Sequence, residues 1–368
     1  STVSFSGGSV NLRLSQTSAI TQTLSVSSST PVTRPLSVPM CLNSATNAPF
    51  TNCNLVFSGA TSFTFGSAPA NVIPAQEAGV ESAAIRIQAN NSACSGTPSE
   101  FNNKTVAVQF WFNYLDPQAS TVGSSISGYK PALWLDPYEA ATNTTPMFFE
   151  LPTAKASAVT RSVYFNTSGI GYFKMVYPDV GQLQLSAEVS SLSITGNAAF
   201  VVKPYEFLVD NVLRTSDSAA NPAASDASGN VFIQAGQDFS VRITARNAAH
   251  KITDNSGTTP VTPLSTFTSY GRTTRLFGKE AVPEGVRLFS DAAALLPSGG
   301  NNPAIGNRDI GGGSFGLNSS TLGQATVTNL NWPEVGIIRL QPRILPTGSE
   351  KIGDYLGAGD VTRYTAPN

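Results

Sequence analysis

Two carboxylates stand at matching places in this chain. Asp179 lies in YFKMVYPDVGQLQL, from Tyr172 to Leu185, and Glu334 lies in TVTNLNWPEVGIIRL, from Thr326 to Leu340. Both stretches read aromatic, Pro, acid, Val, Gly, any residue, Leu or Ile, any residue, Leu, aligned on Tyr177 and Trp332. Paired carboxylates are the equipment of general acid–base catalysis. A glycosidase, for example, needs two of them roughly 5–10 Å apart in one cleft. These two instead occupy one position in each of two copies, so the favoured reading is structural: each accepts backbone N–H bonds and caps its own turn. No catalytic or cofactor-binding residue is assigned. Pro178, Asp179, Gly181, Pro333, Glu334 and Gly336 are architectural, with Pro kept out of central ladder positions and Gly permitting positive φ. Tyr177 and Trp332 read as core aromatics.

Other residue types could carry chemistry. The stretch Trp111–Pro117, with Trp134, Asp136 and Tyr138 in the loop after it, gathers aromatics and a carboxylate. Trp134 and Tyr138 could stack on sugar rings, against a bland alternative of sandwich core plus a turn. Calcium wants six to eight oxygen ligands. Asp210, Asn211, Asp217 and Asp226, or Asp254 with Asn255, could supply some, although no EF-hand pattern is present and solvated loops are the favoured reading. A multi-histidine site is excluded, since His250 is the one histidine, and three cysteines cannot make a four-thiolate cluster. Cys41 and Cys53 flank turn-forming residues, and in an oxidising compartment they would staple a loop, contributing about 2–4 kcal/mol. Cys94 is left over, either buried and free or paired with a cysteine elsewhere.

The elements that must position these residues are β-strands. Val106, Val108, Phe110 and Phe112 alternate with polar residues, as do Phe239, Val241, Ile243 and Ala245. Turn-rich segments separate many such short runs, and only Ser290–Leu296 could hold a helical turn or two. With 40% hydrophobic residues the chain can build cores, and with 12% charged residues and a net charge of −1 it has no basic face for nucleic acid. No stretch approaches a bilayer-spanning helix.

The fold class expected is therefore all-β, with tandem immunoglobulin-like β-sandwich modules in an elongated arrangement. Residues 1–80 would form a partial or irregular N-terminal β unit, 81–204 one sandwich, and 205–368 a second with long inserted loops. Each Pro-acid-Val-Gly turn reads as the tip of a hairpin, and the strands at Val106 and Val241 as equivalents that precede it. Phe200–Pro204 and Val361–Tyr364 would close the two modules. A fainter strand-turn-strand echo spans Val10–Val26, and an opening unit lacking its early strands would leave an edge open to another chain.

The motif order FSGGSVNLRL, CNLVFSGATSFTF, TVAVQFWFNYLDP, YFKMVYPDVGQLQLSAE, AFVVKPYEF, AGQDFSVRITARNA, NWPEVGIIRLQPRI and DYLGAGDV resembles the C-terminal part of MshQ-like proteins of mannose-sensitive haemagglutinin type IV pilus biogenesis. It covers nearly the whole chain, which then looks like a segment of a longer exported bacterial protein. The resemblance implies a place, extracellular and pilus-associated, more than a chemistry. The expectation is a non-enzymatic structural or adhesion protein whose partners are pilus or filament proteins, copies of itself, or a glycan or host surface ligand. The alternatives are a filament subunit held by strand exchange and a carbohydrate-binding module. No cofactor beyond calcium, no nucleic acid and no membrane span in this segment are expected.

Overall fold

A computed structural model describes residues 62–90, 98, 100–125, 129–138, 148–248, 272–316, 321–346 and 353–367, and four short strands outside them. Those strands are β1 (Ile20–Thr23) with β2 (Asn54–Phe57), and β15 (Ile252–Thr253) with β16 (Pro260–Val261), each pair an antiparallel ladder of its own. Cys41, Cys53, Cys94, His250, Asp254 and Asn255 lie outside the described residues.

The first module holds β3 (Ser62–Phe65), β4 (Gln76–Glu77), β5 (Ile85–Asn90), β6 (Lys104–Asp116), β7 (Leu133–Pro137), β8 (Phe149–Leu151), β9 (Val159–Phe165), β10 (Ile170–Val176), β11 (Gly181–Val189) and β12 (Ile194–Lys203). Strands β8-β7-β10-β5-β3 make one layer and β12-β11-β6-β9 the other, joined where β12 runs parallel to β3 at Thr195 and Ser62. Because β3 and β4 pair within this sheet, the strands of the first module begin before residue 81. Strict alternation supplies the core. Val108, Phe110 and Phe112 of β6 are buried, as are Phe63 and Phe65 of β3. Across the layers Phe110 meets Phe173 at 6.4 Å between ring centroids, and Phe63 stacks on Phe165 at 6.1 Å. Each such fully buried phenylalanine is worth about 1.5–3 kcal/mol relative to exposure.

The second module repeats the plan with β13 (Glu206–Arg214), β14 (Phe239–Arg246), β17 (Val286–Ser290), β18 (Asp309–Ile310), β19 (Gln324–Leu330), β20 (Leu340–Ile344) and β21 (Tyr364–Thr365). Its layers are β19-β14-β13-β21 and β18-β17-β20. Phe277 lies at its centre, against Phe207, Phe315 and Tyr355. In both modules the closing strand, β12 or β21, lies parallel to the opening strand, β3 or β13. The chain is all-β in tandem immunoglobulin-like sandwiches. Helical structure among the described residues is slight: α1 (Ala119–Ser125) and short 3-10 turns, one of them at Ala292–Ala294 within the expected segment. No helix among them is long and apolar enough to cross a membrane.

Two expectations need correction. The Pro-acid-Val-Gly turns are not hairpin tips. Strand β10 pairs with β5 and β7, whereas β11 pairs with β12 and β6, so the turn carries the chain from one layer to the other. The second copy does the same, since β19 pairs with β14 and β20 with β17. Nor are the Val106 and Val241 strands equivalent: β6 pairs with the strand after the corner, and β14 with the strand before it. The true counterparts are β5 with β14 and β6 with β17. Alternation alone does not say which neighbour a strand will take.

Both corner glycines have positive φ, +129° at Gly181 and +150° at Gly336. A Cβ would lie 2.4 Å from the Asp116 carbonyl oxygen at the first and 2.5 Å from that of Leu296 at the second. The peptide bonds that follow these carbonyls, Asp116–Pro117 and Leu296–Pro297, are both cis. Gly181→Ala and Gly336→Ala should each lower stability by roughly 2–3 kcal/mol, read as the shift in a denaturant midpoint. Gly313→Ala, where a Cβ meets nothing within 4 Å, should leave it unchanged.

Candidate functional site

The first corner ends where a charged group, Asp179, is wholly withdrawn from water at a meeting of the two modules. Asp179 has no exposed surface. Its Oδ1 accepts from the Val180 N–H at 2.8 Å, the expected turn cap. The same oxygen accepts from the Leu276 N–H at 3.1 Å, and Oδ2 accepts from the Arg275 N–H at 3.1 Å and from the Tyr129 hydroxyl. Two donors therefore come from the second module, one from the corner itself and one from the stretch after α1. The Arg275 guanidinium sits over the Tyr129 ring, 5.2 Å from its centroid. Burial pushes the Asp179 carboxyl up to about 6, against the pull of these donors. At neutral pH it is ionised, with all four donors aimed at it.

Further bonds surround this one. Asn247 Nδ2 donates to the Pro178 carbonyl at 2.8 Å, and the Ala248 N–H to that of Ala78 at 2.8 Å. The Ala281 N–H reaches Asp116 Oδ1 at 2.7 Å, Lys203 Nζ reaches the Asp360 carbonyl at 2.9 Å, and Arg363 pairs with Glu77 at 2.6 Å. Gly79, at φ +75°, leaves room for Ala248, whose carbonyl oxygen would lie 2.5 Å from a Cβ there. Just beyond the contact, Glu280 is buried, accepting from the Tyr355 hydroxyl at 2.7 Å and the Glu284 N–H at 3.2 Å. Desolvation pushes its carboxyl up to about 8. This arrangement positions two domains; it offers no nucleophile facing a cleft.

Among the described residues, the second copy keeps the local geometry without such a neighbour. Glu334 Oε1 accepts from the Val335 N–H at 2.9 Å, as Asp179 does from Val180, and its other oxygen accepts from Asn301 Nδ2 at 3.1 Å. Those two bonds hold its carboxyl below the usual range, and the side chain faces solvent. Val180 is fully buried, whereas Val335 is 74% exposed. Tyr177 and Trp332 are both core.

The remaining candidates stand apart from one another. Asp210 is held by Arg242 through two bonds of 2.8 Å, and Asp217 by Arg214 at 3.1 and 2.8 Å. Asp226 accepts from the Ser228 N–H at 2.8 Å and the Ser228 hydroxyl at 2.5 Å. The three carboxylates do not converge, and among the described residues no group of three His, Cys, Asp or Glu side chains gathers. Trp134 and Asp136 lie in strand β7 rather than in a loop, with Tyr138 just past its end. Trp134 is half-buried on Phe148 and Val176, and the Tyr138 ring lies under Lys174 Nζ at 4.5 Å. Tyr129, Asn247, Arg275 and Leu276 were missed. A second repeat could have pointed to the junction: Ala78-Gly79 precedes Ile85-Arg86-Ile87-Gln88-Ala89 much as Ala235-Gly236 precedes Val241-Arg242-Ile243-Thr244-Ala245.

Two family models match this chain: "Domain of unknown function (DUF6701), first Ig-like domain" over residues 39–202, and "DUF6701, second domain" over 203–328. Among solved structures the chain is similar to the D0-D1 domain of intimin, with 12% identity, 79% of this chain and 90% of that one covered, and a TM-score of 0.17. Human CEP192 PapD-like domain 7 aligns at 11% identity over 49% of this chain and 94% of that one, with a TM-score of 0.16. An alpha-2-macroglobulin from Escherichia coli aligns at 11% identity over 86% of this chain and 19% of that one, with a TM-score of 0.23. No curated protein matches.

Asp179→Ala would leave three backbone N–H groups and a phenol buried without an acceptor, a loss of roughly 3–5 kcal/mol. We expect it to split unfolding into two calorimetric transitions, one per module. The pH dependence follows from the two raised carboxyls. Each binds its proton more tightly folded than unfolded, so its contribution is complete below the ordinary carboxylate range and is lost as pH rises, through about 6 for Asp179 and about 8 for Glu280. Thermal melts should show the melting temperature falling from pH 5 to pH 8.5, and Glu280→Gln should flatten the upper half of that slope.

Proposed function

The chain belongs to the DUF6701 family, and we propose that it is a non-enzymatic structural and adhesion protein, extracellular and pilus-associated, that presents its β-sandwich modules at the cell surface. The observation that carries this reading is the junction. A fully buried carboxylate is held by donors from both modules, so the pair behaves as one stiff unit rather than as beads on a linker. Stiff tandem sandwiches suit a protein that must hold a surface at a distance from its attachment.

The composition agrees, with few charges and abundant polar and glycine residues in the turns. So does the use of the carboxylates: Asp179, Glu334, Asp210, Asp217 and Asp226 each serve a backbone turn or an arginine rather than a reacting group. The resemblance to MshQ-like proteins supplies the pilus, and its partners there would be pilus or filament proteins.

Cell fractionation with antibody against this chain should find it outside the cytoplasm. Deletion of its gene should reduce pilus number or surface attachment, and restoring the wild-type chain should recover them. A protein confined to the cytoplasm, or a deletion that leaves piliation and attachment unchanged, overturns the reading.

A further inference from the structure

In the first module, the layer β12-β11-β6-β9 has an outer face that alternation turns away from the core. Cross-strand register sets its side chains in rows. One row runs Asn197, Ser186, Trp111; on one side of it Gln184 stands beside Asn113, and on the other Glu188 stands beside Gln109. Trp111 is half-buried. Ser186 opposite it points outward yet is 5% exposed, so neighbouring side chains, the indole first among them, lie low over the sheet. Glu188 pairs with Lys155, whose Nζ stands 5.8 Å from the Trp111 ring centroid, and their charges cancel. Three bonds fix the carboxamides. Gln109 Oε1 accepts from the Ser190 hydroxyl at 2.7 Å, Gln184 Nε2 donates to Asn197 Oδ1 at 3.3 Å, and Asn113 Nδ2 donates to the Thr153 carbonyl at 3.2 Å. Among the described residues this leaves Gln109 Nε2 and Asn197 Nδ2 as donors, and Gln184 Oε1 and Asn113 Oδ1 as acceptors, on either side of the indole row.

We propose that this face binds a neutral polysaccharide chain, with Trp111 as the stacking platform and Gln109, Asn113, Gln184 and Asn197 as its hydrogen-bond partners. A sugar ring has an apolar C–H face and a rim of hydroxyls that each donate and accept. An indole flanked by oriented amide donors and acceptors answers both. Because each amide is already held by one bond, little rotamer freedom is lost on binding. Charge selects the class of sugar. The two ionic groups of these rows neutralise each other, so nothing here favours an anionic or a cationic ligand. The outer face of the other layer is different, setting Lys174 against Asp136 and Tyr172 against Arg86 across its strands. A protein partner would need several large anchors in desolvated pockets, and these rows carry one, Trp111. The surface is an open sheet, which suits a run of sugar rings lying across the strands rather than one sugar enclosed.

Affinity electrophoresis of the full chain tests this, in native gels containing hydroxyethylcellulose, galactomannan, xylan or dextran, with heparin as the anionic comparison. Each protein is measured against its own mobility in a gel without polysaccharide. At least one neutral polymer should slow the chain, and heparin should slow it less. Trp111→Ala should raise the apparent Kd at least roughly tenfold. Gln184→Glu and Asn113→Asp, which place a charge at the solvent-facing edge of the same rows, should do so as well with the circular dichroism melt unchanged. Tyr172→Ala, on the other outer face and 40% exposed in the wild type, should bind as the wild type does. A chain that no neutral polymer slows overturns the proposal, as does one that heparin slows as much. So does binding that survives Trp111→Ala and Gln184→Glu, or binding that Tyr172→Ala abolishes. Binding is read on the isolated chain, so its outcome is separate from that of the piliation and fractionation experiments.

Discussion

A carboxylate taken out of water costs several kcal/mol unless its lone pairs are filled. Asp179 is filled only when three separate pieces of chain are in place at once: its own corner, Tyr129 from the stretch after α1, and the Arg275–Leu276 backbone of the second module. Partial docking leaves the charge buried with too few donors, or exposed with the apolar surround opened to water. Neither intermediate is favourable, so the relation of the modules is close to all or none. The close approaches at Gly79 and Gly181 belong to the same constraint, because a side chain at either would push apart the surfaces that bring those donors to the carboxylate.

Much of this was legible in the residues. Period-two alternation marked β6 and β14, and the repeated aromatic-Pro-acid-Val-Gly stretch marked the two corners and the duplication itself. The hairpin reading failed for a definite reason. A strand, a tight turn and a second strand look the same in one dimension whether the strands pair or cross between layers, and the choice is made by partners such as β5 and β6 far along the chain. The same distance hid the difference between Asp179 and Glu334. Their local bonds match, and what separates them is a backbone nearly a hundred residues away. Trp134 reads from the sequence as a loop residue, yet it lies in β7, a strand of five residues secured by its neighbours β10 and β8.

The loop carboxylates teach a smaller lesson of the same kind. Asp210, among Asp and Asn neighbours, reads from the sequence as a residue of a solvated loop, with calcium as the lesser alternative. In the sheet it stands directly opposite Arg242 on β14, where a cross-strand ion pair is the natural use of that position. The alternation of DFSVRITAR places Arg242 on the polar face, but only the register of β13 against β14 brings Asp210 to it. A residue's type gave its options; its cross-strand partner selected among them.

The second corner adds a point about cause. Its glycine holds positive φ, its acid caps the next N–H, Ile337 and Leu296 exchange two backbone bonds of 2.9 and 3.0 Å, and Gly236 donates to Trp332, all with no other module resting on it among the described residues. The corner is therefore a property of each sandwich and not a product of docking. What docking adds at the first copy is burial of a shape that already exists, so little ordering entropy opposes it, the circumstance in which a modest contact area is enough to hold two domains in one orientation. What the second module brings, the Arg275 and Leu276 N–H groups, meets a corner whose geometry does not wait on it.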